Sequence, residues 1–135
     1  MAQPIVTSRQ PDYADLDLDF LPHPTTGDIL RKTGQDAIKR SVRNLILTNY
    51  YEKPFRPGIG SNALRLLFDN ANPLTATFLK DAIMEVIRNY EPRVEMINLA
   101  VNFDIDNNGY NVDMQYVILN RNEPVITTIF LERIR

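Results

Sequence analysis

Pro92 constrains this chain more than any other residue, because the hydrophobic period changes across it. Before it, Phe78, Leu79, Ala82, Ile83, Val86, Ile87 and Tyr90 recur at helical spacing. After it, Ile97, Leu99, Val101, Phe103 and Ile105 alternate with more polar residues, as a strand requires. Proline has no N–H and pushes the preceding residue out of the helical region, so the helix must stop at about Asn89–Glu91. A helical half followed by a sheet half is the pattern of an α+β fold. Glu91 and Arg93 flank the joint. They make either a surface ion pair, which stabilises little, or a polar hook that the proline holds ready for a partner.

The sheet half reads as three antiparallel strands. Asp106-Asn107-Asn108-Gly109 is a hairpin signal, and Tyr110, Val112, Met114, Tyr116 and Ile118 give the return strand one apolar face. A second turn over Asn120 to Pro124 leads into Val125 to Ile134. Asp104-x-Asp106-x-Asn108-Gly109 also matches the first half of an EF-hand loop, but its twelfth position is Gln115, which brings no carboxylate. The flanks have strand periodicity, so the segment is read as a turn. The last strand is apolar on both faces. At a sheet edge its unpaired N–H and C=O groups would accept a strand from another chain, with Val125, Thr127, Ile129 and Leu131 as the candidates.

Upstream, Ala37, Ile38, Ser41, Val42, Leu45 and Ile46 predict a first helix beginning near Thr33, where Thr33-Gly34-Gln35-Asp36 resembles a capping box. Ser61 or Asn62 caps a short second helix through Ala63, Leu64, Leu67 and Phe68, and the third starts at about Leu74–Thr75, with Thr75 largely off its apolar face. In Tyr13 to Phe20, strict alternation predicts a short strand with Leu16, Leu18 and Phe20 inward and Asp15, Asp17 and Asp19 in solvent. Three aspartates in a line do not wrap a cation. His23, between two prolines, has no nucleophile or orienting partner in its sequence neighbourhood and is read as structural. Gly58-Ile59-Gly60 follows no strand and precedes no Gly-Lys-Ser, so it is no phosphate cradle. The expected architecture is therefore about three helices packed on a C-terminal antiparallel three-stranded sheet, with at most a short N-terminal strand. Residues 1–12 form a loose arm and 13–135 a single domain.

Composition narrows the function. The chain has 135 residues and a formal net charge of -2. That balance disfavours a dedicated nucleic-acid binder, although Arg31, Lys32, Lys39, Arg40 and Arg43 make a basic patch. Without cysteine there is no disulfide, thiolate metal site or cysteine nucleophile. Met1 to Gln10 carries no apolar signal core, and no apolar run is long enough to span a bilayer.

Several blocks resemble one known family when taken together. They are Asp15 to Phe20, His23-Pro24-x-x-Gly27-Asp28, Ala37-Ile38-Lys39-x-Ser41-Val42-x-Asn44-Leu45-Ile46, Glu52-Lys53-Pro54-Phe55-x-Pro57 and the Glu91-Pro92-Arg93 triplet. The chain resembles, from about Asp15 to its end, the small baseplate wedge proteins of contractile-tail phages of the T4-like type, related to the type VI secretion baseplate component. The resemblance implies a structural subunit of the virion's tail baseplate, assembled in the host cytoplasm. By it, Glu91, Pro92 and Arg93 dock on the helical core bundle of other wedge proteins, and the sheet pairs with the tail sheath protein to start its polymerisation. No cofactor, metal, nucleic acid, membrane or small-molecule substrate is expected. On this reading Glu91→Ala with Arg93→Ala leaves the domain folded but blocks incorporation. The rival is a lysozyme-like glycoside hydrolase acting on peptidoglycan, which needs a carboxyl with a raised pKa. Glu91 or Glu95 could be nominated, but Arg93 should lower Glu91, and there is no Trp to line a sugar groove.

Overall fold

The computed structural model describes residues 13–133. In chain order the elements are β1 (Ala14–Leu16), β2 (Arg31–Thr33), α1 (Gly34–Leu47), α2 (Ala63–Leu66), α3 (Pro73–Tyr90), β3 (Val94–Asp104), β4 (Gly109–Ile118) and β5 (Arg121–Glu132). The architecture is α+β, with three helices, a C-terminal antiparallel sheet in the order β3-β4-β5 and a two-stranded β1-β2 sheet. The arm expected over 1–12, and the expected strand end at Ile134, lie outside the described residues. The chain divides into two compact units, one ending at Ile38 and the other beginning at Lys39.

In the first unit, β1 pairs antiparallel with β2, Asp15 opposite Lys32. The expected inward face is not covered here, and of the three aspartates expected in solvent Asp19 is exposed, Asp15 half-buried and Asp17 buried. The strand stops at Leu16, and Leu16, Leu18 and Phe20 are exposed, whereas Asp17 is buried. A turn causes this. The Asp17 carboxylate accepts the Asp19 N–H at 3.2 Å and lies 3.5 Å from Lys32 Nζ. The Asp17 carbonyl accepts the Phe20 N–H at 3.1 Å, and Phe20 has a left-handed φ of 52°. Aspartate that bonds the backbone two residues on starts turns, and a burial that satisfies its charge is tolerated. The imidazole of His23 accepts the N–H groups of Thr25 and Thr26 at 3.2 and 3.3 Å, a structural use.

In the second unit, Val42, Leu45 and Ile46 form the buried stripe of α1. Ser61, not Asn62, makes the side-chain contact at the start of α2. Its Oγ accepts the Ala63 N–H at 3.2 Å and donates to the Ile46 carbonyl at 2.7 Å. α2 is only one turn long, and Phe68 beyond it is exposed. α3 opens with Asn72 as N-cap and Pro73 in the first turn, where its missing N–H costs nothing. The Asn72 side chain accepts the Thr75 N–H at 2.7 Å. Asn72→Ala is expected to cost about 1 kcal/mol, read as a Tm lower by roughly 3–6 °C in a thermal melt. Leu79, Ile83, Val86 and Ile87 are buried. Thr75 is buried too and Phe78 is exposed, the reverse of the expected face. Thr75 can go in because its hydroxyl donates to the Asn70 carbonyl at 2.9 Å.

β4 buries its whole predicted face, Tyr110, Val112, Met114, Tyr116 and Ile118. Each large side chain so buried contributes about 1.5–3 kcal/mol. β3 keeps its alternation only in part, since a bulge between Met96 and Asn98 leaves Ile97 exposed. The Asp104 carboxylate accepts the N–H groups of Asp106 and Asn107 at 3.1 and 3.2 Å and the Asn107 side-chain amide at 2.8 Å, so it serves the hairpin turn. β5 starts at Arg121, earlier than expected, after a short turn at Leu119 and Asn120.

Candidate functional site

α3 ends where Pro92 requires. The Glu91 N–H still donates to the Ile87 carbonyl at 2.9 Å, but Glu91 itself has left the helical region (φ -124°, ψ 76°). The chain then turns and enters β3, with the Val94 N–H on the Glu91 carbonyl at 3.2 Å and the Leu119 N–H on the Arg93 carbonyl at 3.0 Å. The corner is thus tied to α3, β3 and the β4–β5 turn by backbone alone.

Its side chains are tied as tightly. Glu91 is only 2% exposed. Arg93 Nε donates to Glu91 Oε1 at 2.6 Å and a terminal guanidinium nitrogen donates to Oε2 at 2.9 Å, a bidentate pair. Ser41 Oγ on α1 donates to the same Oε2 at 2.5 Å. Burial pushes the Glu91 pKa up, but the hydrogen bonds from Arg93 and Ser41 and the Arg93 charge outweigh it and hold the carboxyl below its ordinary range. The Glu91 carboxylate is therefore used inside the protein. What the corner presents outward is Pro92, which is exposed, and the edge of the Arg93 side chain, 24% exposed.

A groove of about 470 Å³ lies beside the corner, lined by Met84 and Arg88 of α3, Pro92, Glu95 and Met96 of β3, and Leu119, among others. Flexible methionines and an exposed leucine, with Arg88 and Glu95 at the rim and the Glu91 carboxylate already paired with Arg93, suit an apolar, lightly charged protein surface. A second groove, of about 680 Å³, runs between the first half of α3 and β3. Among the described residues its lining carries no carboxylate.

The strand-pairing candidates sit on β5, an edge of the sheet. Val125, Ile129 and Leu131 are buried and Thr127 is half-buried. Backbone parity decides which groups face out. The Arg133 N–H bonds the Asn108 carbonyl at 3.0 Å, and β4 and β5 run in that register from Gly109↔Glu132 to Val117↔Pro124. Hydrogen-bonded pairs alternate in an antiparallel ladder, so Val125, Thr127, Ile129 and Leu131 turn their main-chain groups toward β4. Ile126, Thr128, Phe130 and Glu132 turn theirs toward the open edge. Pro124 fits this parity, because its nitrogen, with no hydrogen to give, also faces out.

Sequence reasoning missed the role of Ser41. Its signal was present, a hydroxyl in the middle of an apolar helical stripe. It placed Lys32 in a basic patch, where the structure gives it the buried Asp17. Among the described residues no helix is long and apolar enough to cross a membrane, and no group of three metal-ligating side chains occurs.

The profile of a family described as baseplate wedge protein gp25 matches residues 32–123. The baseplate wedge protein gp25 of Enterobacteria phage T4 is 37% identical over 90 residues, which cover 67% of this chain and 66% of that protein. Among solved structures, the anti-feeding prophage baseplate contains a chain that superposes with a TM-score of 0.63 at 17% identity, covering 92% of this chain and 88% of that one. A putative tail lysozyme from Geobacter sulfurreducens reaches the same TM-score at 20% identity, covering 73% of this chain and 91% of that chain. The pyocin R2 baseplate in its contracted form contains a further match, at a TM-score of 0.54 and 17% identity, covering 87% of this chain and 98% of that one. At these identities the structural matches speak to the fold alone.

Proposed function

Since the chain belongs to the baseplate wedge protein gp25 family, we propose that it is a structural subunit of a contractile-tail baseplate, part of the virion and assembled in the host cytoplasm. Its Glu91-Pro92-Arg93 corner docks on a helical bundle of neighbouring wedge proteins. The open edge of its sheet takes a strand from the tail sheath. The observation that carries this reading is the corner itself. The buried Glu91 carboxylate locks Arg93 and, through Ser41, α1 into one bracket beside a groove rimmed by Arg88 and Glu95. A bracket already ordered in the free subunit loses little entropy on docking. The sheath end is supported by β5, an edge strand of 12 residues with a row of outward main-chain groups.

The hydrolase reading has the fold of a putative tail lysozyme in its favour. The chemistry weighs against it. A glycosidase acid needs a raised pKa, whereas Glu91 and Asp104 both shift down, Asp104 through hydrogen bonds from Asn107.

Leu119→Asp tests the docking. Leu119 is exposed on the groove rim, so the variant should melt within a few degrees of the parent yet fail to enter purified baseplates. Normal incorporation would remove the groove from the interface.

A further inference from the structure

The loop between α1 and α2 carries the two most exposed aromatic rings among the described residues. Tyr51 is 85% exposed and Phe55 103%. A lone exposed aromatic residue needs no explanation. Here both also sit in the left-handed backbone region, at φ 67° and 68°, where bulky side chains are genuine outliers. The loop is not loose. The Tyr51 N–H donates to the Pro57 carbonyl at 2.9 Å, the Asn49 N–H to the Glu52 carboxylate at 2.7 Å and the Tyr90 hydroxyl to the Gly58 carbonyl at 2.6 Å. At the loop base Gly60 has φ 156°, and a Cβ there would come within 2.5 Å of the Asn49 backbone, so only glycine lets the two ends cross. Two aromatic side chains are therefore held out by a braced and locally strained frame, and strain of this kind persists where surrounding structure enforces it.

We propose that Phe55, with Tyr51 beside it in the loop, is an anchor that inserts into an apolar pocket rimmed by acids on another protein. Rigid aromatic residues are the usual anchors of protein interfaces, since they bury a large area for few lost rotamers. The charge follows from Lys53 and Arg56, which flank Phe55 and are exposed, while the Glu52 carboxylate is occupied by Asn49. A nucleic-acid partner would call for a longer basic track than two cations on a chain of net charge -2. This anchor is separate from the Glu91-Pro92-Arg93 corner and does not depend on it.

The test places p-benzoylphenylalanine at position 55, and at the exposed Asp81 as control, and irradiates infected cells in which the protein is made. The anchor predicts an adduct at least tenfold above the control. Its partner peptide maps to an apolar site with two or more acidic neighbours, and the adduct is lost when Lys53→Glu and Arg56→Glu are added. No adduct above the control, an adduct on nucleic acid, or one indifferent to the charge reversal overturns it. Phe55→Gly separates anchoring from folding. Glycine relieves the left-handed backbone, so the Tm of the purified chain should hold or rise. A clear fall would give the ring a structural duty and also overturn the proposal. Recovery of the unmodified chain in purified baseplates tests the baseplate reading by itself.

Discussion

Replacing Glu91 with alanine is expected to destabilise the chain by about 2–4 kcal/mol, and to lower its Tm by on the order of 10 °C. The carboxylate is almost wholly buried and accepts three hydrogen bonds, two from Arg93 and one from Ser41. Removing it takes two bonds from the Arg93 guanidinium and one from the Ser41 hydroxyl at once. Since Arg93 keeps some exposure, water recovers part of the loss, which places the figure below that of a fully buried pair. Adding Arg93→Ala should then cost less than it does in the parent, because the bidentate pair it would break is already gone. The double variant therefore changes stability as well as any docking, and exposed rim positions such as Leu119 read docking more cleanly. Acid gives an independent check. Glu91 titrates below its ordinary value of 4.5 in the folded chain. Its contribution is then complete above that value and is lost as the pH falls through the lower folded pKa. Thermal melts from pH 7 to pH 2 should show the parent losing stability more steeply than Glu91→Gln below about pH 4.5. Parallel curves would mean that the carboxylate carries no such linkage.

The alternation of β4 and the helix stop at Pro92 were legible because each rests on one local rule, and nothing in the neighbourhood competes with it. The β1 region shows the limit of such rules. Alternation says which of Leu16, Asp17 and Leu18 share a face, but not which face is covered. An aspartate that can start a turn and meet Lys32 reversed the assignment. Ile97 was misplaced for a related reason, since a bulge shifts the register without any mark in the periodicity. Thr75 shows how a satisfied hydroxyl in the first turn overrides hydrophobicity, because the Asn70 carbonyl accepts its hydrogen bond inside the unit. At the corner, the pairing of Glu91 with Arg93 could be read from their spacing. The burial could not, since it depends on Ser41, 50 residues away. A contact at that separation is set by where the fold brings Ser41 of α1 beside the corner, which no window of sequence contains.

The open edge of β5 yields the sharpest contrast between neighbouring positions. Ile126→Pro should leave the chain folded and abolish sheath assembly, whereas Thr127→Pro should unfold it or cost about 3 kcal/mol or more. The difference comes from parity alone. Thr127 stands opposite Met114 in a hydrogen-bonded pair, so proline there removes a ladder bond and leaves a carbonyl of β4 without its donor. Ile126 stands opposite Gln115 in the alternate pair, its N–H points away from β4, and its side chain is 71% exposed. Pro124 already occupies the same parity two residues earlier, so the strand tolerates proline on that side. If the sheath adds a strand to this edge, the lost N–H and the proline ring interrupt the new ladder at its middle. If Ile126→Pro assembles sheath at the parent rate while folded, β5 is not the edge that is used. The open side of β3 then becomes the one to test, with proline substitutions along Asn98 to Asn102.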